Sequence, residues 1–107
     1  MTTPSLTMCV YHVKPGKERE FEKLLAIHHP TMVKLGLVAK QPHQVWRGSE
    51  HKSGKTVYFE LHPWKDASCP GRAHAMPEVM AVWEPMGALC ESMGFPSIEP
   101  LDLKGSA

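Results

Sequence analysis

The stretch that most constrains the fold is KTVYFELHPW, at residues 55–64. Its β-branched and aromatic residues favour a β-strand, in which successive side chains point to opposite faces. One face carries Val57, Phe59 and Leu61, and the other carries Tyr58, Glu60, His62 and Trp64. Neither face is wholly polar, so we expect the sheet that contains this strand to be covered on both sides.

The rest of the chain supplies strands and helices in a regular order. The pattern predicts a strand at 5–13, a helix that closes at Gly36, a strand at 37–50 interrupted by Pro42, a second helix from Pro77 to Gly94, and a short strand at 95–103. Residues 65–76 are expected to form a loop or a short helical turn. The order β-α-β-β-α-β is typical of the ferredoxin-like fold of the α+β class, in which two helices cover one face of a four-stranded antiparallel sheet.

This topology leaves the second face of the sheet without a cover. The chain has 107 residues, which suits one domain spanning 1–107 with a core of limited size. A second copy of the chain would cover the apolar residues that remain on the open face. We therefore expect a homodimer.

Composition and charge exclude several classes of partner. The net charge is +1 and the basic residues are scattered, so neither nucleic acid nor a membrane is an expected partner. No apolar run approaches the roughly 20 residues of a membrane span, and the N-terminal residues lack the pattern of a signal peptide. We therefore expect a cytoplasmic protein. Its three cysteines, Cys9, Cys69 and Cys90, have no metal-binding spacing and are expected to be free, buried thiols.

The first predicted helix contains an unusual His-His-Pro triplet within LLAIHHPTMVKLGL. His28 falls on the apolar face of the helix, whereas His29 lies about 100° away, nearer its rim. Pro30 has no N–H and so frees the carbonyl group of Ala26. Because histidine titrates near neutral pH, His28 is either a base that lines a pocket or a core residue bonded to the backbone at a helix kink.

Three further histidines are candidates for a site. His74 lies just before Pro77, near the positive end of the second helix, where a neutral imidazole can act as a base or a hydrogen-bond donor. The alternative for His74 is a polar loop residue bonded to a carbonyl group. His12 and His62 end their strands, and each either faces solvent, which is the simpler interpretation, or lines a pocket.

Two other residues bear on a site. Trp83, on the inner face of the second helix, is the best aromatic candidate for a pocket wall. Glu60 is the only acid inside a strongly apolar strand. Burial would raise its pKa, but we expect it instead to pair with Arg47 across the hairpin. His43 receives no role. No HxH or HExxH spacing occurs, so no metal site is predicted, and the motifs of nucleophilic and phosphoryl-transfer enzymes are missing from the sequence as well.

Three segments, YHVKPGKEREFEKLL, YFELHPWKDA and RAHAMPEVMAVW, resemble the dimeric α/β-barrel superfamily. That group includes antibiotic-biosynthesis-type monooxygenases, EthD-like proteins and polyketide cyclases related to olivetolic acid cyclase. The resemblance implies a dimer whose two sheets face each other as a barrel, with a small pocket in each protomer lined by histidine and aromatic side chains. The implied activities range from cofactor-free oxidation and cyclisation to decarboxylation and haem degradation, so the fold does not settle the function.

The sequence departs from two branches of that superfamily. Haem-degrading members share a pattern that includes an asparagine on the first strand, and this chain contains no asparagine. Cyclase-type members carry a histidine within the third strand, where this chain has Val57 and Tyr58 and places its histidine only at His62. His74 matches the Ala-His pair found in many members, and it is carried over on that basis.

The leading hypothesis is a homodimer that binds a small apolar, aromatic or polyketide-like molecule in a pocket between sheet and helices. If the protein is an enzyme, we expect a monooxygenase or cyclase that needs no cofactor. The expected site consists of His28 and His74 as acid or base, and of His12, His62, Trp64, Met80 and Trp83 as substrate-binding residues. The alternatives are a non-catalytic binding or accessory protein with structural histidines, and a metal- or haem-binding protein.

Overall fold

The computed structural model describes residues 5–40 and 43–103, so the predicted interruption at Pro42 lies outside the described residues. The strands are β1 (Ser5–Val13), β2 (Gln44–Ser49), β3 (Thr56–Trp64), β4 (Cys90–Gly94) and β5 (Ser97–Ile98). The helices are α1 (Glu18–Lys34), α2 (Cys69–His74) and α3 (Pro77–Ala88). Within the described ranges, no helix is long and apolar enough to cross a membrane.

The strands form one antiparallel sheet in the order β2-β3-β1-β4, and the short β5 also pairs with β1. This arrangement confirms the ferredoxin-like fold predicted from the element order. The central strands β1 and β3 place Thr7, Cys9 and Tyr11 opposite His62, Glu60 and Tyr58, respectively. Residues directly opposite each other point to the same face of a sheet. These six side chains therefore share the face that the helices cover.

Backbone geometry sets both ends of α1. Gly16, in the turn before the helix, has a φ of 86°, and Gly36, just after it, has a φ of 71°. Both values lie in the left-handed region that favours glycine. Gly36 therefore ends α1 as predicted. Pro30 stands inside the helix and has no N–H to donate to the carbonyl group of Ala26.

The last third of the chain differs from the prediction. Apolar spacing predicts a helix that ends at Gly94, whereas α3 ends at Ala88 and β4 occupies Cys90–Gly94. Pairing with β1, where Cys90 lies opposite Val13, prevails over the helical spacing. Cys90 is buried in either arrangement, so the periodicity does not distinguish the two. The strand predicted at 95–103 is reduced to β5.

The hydrophobic core lies between the sheet and the helices, in two clusters. The first contains Tyr11, Phe21, Tyr58, Val82 and Met86, and the second contains Met32, Leu37, Trp64, Cys69 and Val79. The predicted free, buried state of the three cysteines is confirmed. Burial, with the nearby charge of Glu60, raises the pKa of Cys9 to about 12, so it remains a thiol.

The opposite face of the sheet is apolar and open. Alternate residues of β1 are only half buried. Trp46 is 47% exposed, Phe59 36% and Ile98 37%, and the sheet register places Trp46 opposite Phe59 and Ile98 opposite Leu6. No described element covers these side chains, which form a contiguous apolar patch.

Replacing Phe21 with alanine tests where the core lies. Phe21 is fully buried, and its ring centroid lies 5.0 Å from that of Tyr11 and 5.2 Å from that of Tyr58. We expect Phe21→Ala to lower the free energy of unfolding by about 3–5 kcal/mol, because apolar burial is lost and a cavity forms. Val33→Ala, on the exposed side of the same helix, is the control and should cost less than about 0.5 kcal/mol. Urea unfolding measures both, and equal losses would contradict this core.

Candidate functional site

A cavity of about 410 Å³ lies between the inner face of the sheet and the helices. Six of the seven site residues predicted from the sequence line it: His28, His62, Trp64, His74, Met80 and Trp83. Further apolar lining comes from Met86, Met93 and Phe95. A mainly apolar cavity with a few convergent polar groups is the usual form of a small-molecule site.

His12 is the residue that the structure places elsewhere. Its side chain is 37% exposed, and its Nδ1 lies 3.3 Å from Oε1 of Glu50. Side chains alternate along a strand, and the preceding residue, Tyr11, points inward. His12 therefore lies on the opposite face of the sheet and does not contact the cavity.

The carboxylate of Glu60 is the centre of a buried hydrogen-bond network behind the cavity wall. Glu60 is fully buried. Tyr11 donates its O–H to Oε1 at 2.7 Å, and Nδ1 of His28 lies 3.0 Å from Oε1 and 3.1 Å from Oε2. Nε2 of His43 lies 2.7 Å from Oε2. One carboxylate thus connects β3 to β1, to α1 and to the residue that precedes β2.

The expected pairing of Glu60 with Arg47 is wrong. Arg47 instead donates to Glu22 on α1, at 3.1 Å, and both side chains are largely exposed. In the sheet register Arg47 lies opposite Tyr58, whereas Val45 lies opposite Glu60. The guanidinium group stays hydrated at the edge strand, and the interior carboxylate finds its partners on elements that are distant in sequence.

The protonation of the network follows from its donors and acceptors. An ionised carboxylate only accepts hydrogen bonds, so Tyr11, His28 and His43 must all donate to Glu60. Burial by itself would raise the pKa of Glu60, but the hydrogen bonds from His28, His43 and Tyr11 outweigh burial and lower that pKa. Burial and the charge of Glu60 raise the pKa of Tyr11, which remains a phenol.

His28 has partners on both of its ring nitrogens. Trp83 donates its indole N–H to Nε2 of His28 at 2.8 Å. Because Nε2 accepts and Nδ1 donates to Glu60, His28 is a neutral imidazole with its proton on Nδ1. It therefore links the sheet through α1 to α3, and both of its hydrogen bonds go to side chains rather than to the backbone.

His62 differs from His28 in its hydrogen bonding. It is 1% exposed, and neither of its ring nitrogens has a hydrogen-bond partner among the described residues. Its ring centroid lies 5.7 Å from that of His28 and 4.2 Å from that of Trp64. The simpler expectation, that His62 faces solvent at a strand end, is wrong, because this face of β3 lies under the helices.

The two ring nitrogens of His62, which lack partners among the described residues, favour a ligand site at this wall of the cavity. Burial lowers the pKa of His62 to about 4. The ring is therefore neutral at pH 7 and offers one N–H donor and one lone pair. A buried polar group without a partner is costly and rare in native proteins. A molecule bound in the cavity would supply the missing partners.

His74 stands at the edge of the cavity. Pro77 is the first residue of α3, as predicted, and His74 is the last residue of α2. Its side chain is exposed, and its ring meets Trp83 edge to face, with the centroids 4.9 Å apart. His74 can therefore contact a ligand that reaches the outer part of the cavity.

Two residues of the network, Tyr11 and His43, were not predicted from the sequence. Tyr11 alternates with Cys9 and Val13 along the inner face of β1, and this period-two pattern was sufficient to mark it as inward. His43 stacks on His29, with the rings parallel and 3.9 Å apart. No local sequence signal connects His43 to Glu60, because the contact depends on how β2 packs beside α1.

Two histidines of this region, His28 and His43, are engaged by hydrogen bonds to the carboxylate of Glu60. In residues 5–40 and 43–103, no set of three or more His, Cys, Asp or Glu side chains is arranged to hold a metal ion. His28 and His43 each direct a protonated nitrogen at Glu60, which is the arrangement of a hydrogen-bonded carboxylate.

Comparison with solved structures finds proteins of the same architecture. SnoaB, a cofactor-independent oxygenase from Streptomyces nogalater solved as a point variant, has a TM-score of 0.69 and 18% identity over 92% of this chain and 94% of its own. A Caulobacter crescentus protein assigned to the antibiotic biosynthesis monooxygenases has a TM-score of 0.69 and 17% identity, over 94% of this chain and 92% of its own. A dimeric ferredoxin-like protein of unknown function from a Jannaschia species has a TM-score of 0.66 and 10% identity, over 92% of this chain and 100% of its own.

The likeness to these proteins concerns the fold. No protein-family profile and no curated protein matches the sequence. At identities of 10–18%, similar structures establish architecture and leave the chemistry to the site. The chain thus has the ferredoxin-like fold of antibiotic biosynthesis monooxygenase-like proteins, as its sequence resemblance implies.

The buried, neutral state of His62 predicts a pH-dependent stability. The pKa of His62 falls from an ordinary 6.5 to about 4 on folding, so between these pH values the unfolded chain binds a proton that the folded chain does not. Stability must then fall as the pH falls. We expect His62 to account for a loss of about 2 kcal/mol in the free energy of unfolding between pH 7 and pH 5.

Urea unfolding of His62→Gln at the two pH values measures this contribution. The variant should lose less stability between pH 7 and pH 5 than the wild type. His12→Gln, at an exposed position on the other face, should keep the wild-type dependence. A His62→Gln variant with an unchanged pH dependence would show that His62 is not buried in its neutral form.

Proposed function

We propose that this chain, which has the fold of monooxygenase-like ferredoxin-fold proteins, binds a small aromatic or polyketide-like molecule and oxidises it without a cofactor. The observation that carries the proposal is His62, a buried neutral imidazole on the wall of an apolar cavity, whose two ring nitrogens have no partner within residues 5–40 and 43–103. His62 takes the role of base in this proposal. His28, whose nitrogens are both engaged, positions Trp83, and His74 contacts the outer part of the ligand.

The proposed reaction begins with the removal of a weakly acidic proton. The lone pair of His62 accepts a proton from an activated methylene group or a phenol, and a carbanion or phenolate results. Dioxygen takes up the electrons of this anion. One of its oxygen atoms stays on the carbon and the other leaves as water, so that R₂CH₂ and O₂ give R₂C=O and H₂O. A positioned base contributes roughly 10²–10⁴-fold to such a step.

The surroundings of His62 favour this chemistry. Trp64, Trp83 and Met80 line the cavity with apolar surface against which an aromatic ring can pack. Glu60 lies two residues away on the same face of β3, so its negative charge stabilises the imidazolium ion that forms on His62. The description of SnoaB as a cofactor-independent oxygenase supports the reaction class for this fold.

We further propose that the protein acts as a homodimer whose two sheets face each other. The outer face of the sheet exposes the apolar side chains of Trp46, Phe59 and Ile98, and exposed apolar patches mark interfaces. A symmetric pair buries the same patch on both protomers. A ferredoxin-like protein of similar structure is described as dimeric, which supports this arrangement.

Air oxidation of anthrone to anthraquinone tests the proposed activity. Anthrone is aromatic and carries one methylene group activated by two rings and a ketone. We expect the wild-type protein to accelerate this oxidation without any added cofactor, and His62→Gln to lower kcat/KM by about 10²–10⁴-fold. Product absorbance and oxygen uptake measure the rate. His12→Gln, which lies outside the cavity, should retain the wild-type rate.

The possible results separate the two main functions. Equal rates for His62→Gln and the wild type would contradict the role of His62 as base. Binding of anthrone by the wild type with no turnover would favour a non-catalytic binding protein over an oxygenase. Absence of both binding and turnover would exclude this class of ligand.

Introducing a charge into the apolar patch tests the dimer. Trp46→Asp places a carboxylate in the proposed interface, and we expect it to convert the dimer to a monomer of about 12.0 kDa because an unpaired charge is costly to bury. Ile27→Asp adds the same charge at an exposed position of α1 and should leave the dimer intact. Sedimentation equilibrium measures both masses. A monomeric wild-type protein at micromolar concentration would rule out this interface.

A further inference from the structure

We infer that the buried carboxylate of Glu60 excludes anions from the cavity, so that it admits neutral phenols, ketones and amides and rejects carboxylates and phosphates. This inference rests on the proposed small-molecule function and specifies the charge class of its ligand. It follows from the charges that surround the cavity and from the one negative charge that lies behind its wall.

The cavity offers no basic side chain to an anion. Among the described residues that line it there is no lysine and no arginine, and Glu84 is acidic. His28 is neutral, because its Nε2 accepts the hydrogen bond from Trp83. His62 is neutral because it is buried and has no partner in the described part of the chain. His74 is exposed at the cavity edge, where water screens its interactions.

The charge of Glu60 lies directly behind the wall. Tyr11 and His28 both line the cavity, and both hydrogen-bond to this carboxylate, at 2.7 and 3.0 Å. A ligand in contact with either ring is therefore separated from the carboxylate by one side chain. The third partner, His43, lies on the other side of Glu60, in the groove between α1 and β2, and so does not stand between the charge and the ligand.

The size of the effect follows from Coulomb's law. Two like charges about 6 Å apart at an effective dielectric constant of about 20 repel enough to weaken binding about 100-fold. Glu60 has no exposed surface, so added salt screens its effect on the cavity only weakly. An exposed carboxylate such as Glu84 repels anions less, and salt removes most of its effect.

Two ligands of the same shape and different charge test the inference. 2-Naphthamide is neutral and 2-naphthoate is an anion at pH 7, and both are planar bicyclic molecules. We expect the wild-type protein to bind 2-naphthamide about 100-fold more tightly than 2-naphthoate. Isothermal titration calorimetry at pH 7, in 50 mM and in 0.5 M NaCl, measures the ratio of the two dissociation constants. The ratio should persist at the higher salt concentration.

Glu60→Gln removes the charge and keeps the size of the side chain. Its amide oxygen still accepts from Tyr11 and His28, and its amide N–H can donate to His43 in the other tautomer of that ring. We expect the ratio to fall by at least tenfold in this variant, through tighter binding of 2-naphthoate. Glu84→Gln is the matched control, and it should change the ratio only a few-fold, and only at low salt.

Each result decides between distinct conclusions. Equal binding of the two ligands by the wild type would overturn the charge selection and leave the proposed function standing. Failure of 2-naphthamide to bind would contradict the small-molecule function and the selection together. A ratio that disappears in 0.5 M NaCl, or that is unchanged in Glu60→Gln, would place its source at the surface and overturn the role of Glu60. If Glu60→Gln does not fold, the wild-type salt series decides alone.

Discussion

The interaction on which the rest of the structure depends is the set of three hydrogen bonds to the carboxylate of Glu60. A buried charge is tolerated only when it is well partnered, and removal of one partner is strongly destabilising. Here Tyr11, His28 and His43 provide those partners from three separate parts of the chain. His28 then receives the indole N–H of Trp83. The same network therefore holds α1 against the sheet and sets the position of the aromatic wall that α3 contributes to the cavity.

Glu60 and His62 lie two residues apart on one face of β3, and they differ sharply in their hydrogen bonding. The first is saturated with hydrogen bonds, whereas both nitrogens of the second lack partners among the described residues. A chain that satisfies one buried polar group so fully and leaves its neighbour unsatisfied accepts a cost in stability at that position. Such costs are typical of functional sites, where the missing partner arrives with the ligand.

The two faces of the sheet differ in what they contact. The inner face supports the core and the cavity, and the outer face presents an apolar patch that includes Trp46 and Phe59. Because this fold is shared by proteins of several descriptions, the architecture leaves the chemistry open. The particular histidines, the buried acid and the mainly apolar lining of this cavity support the functional proposal.

The sequence by itself determined the fold class, the inward direction of His28 and the placement of most of the cavity wall, because periods of 2 and 3.6 residues report which side of an element faces the core. It did not determine where α3 gives way to β4, since Cys90 is buried in either case. Nor did it reveal the partners of Glu60, which come from residues 17 to 49 positions away. Only the tertiary structure decided that both ring nitrogens of His28 have hydrogen-bond partners and that those of His62 have none among the described residues. Hydrogen-bond partners depend on the distances between elements, and the local sequence pattern does not contain those distances.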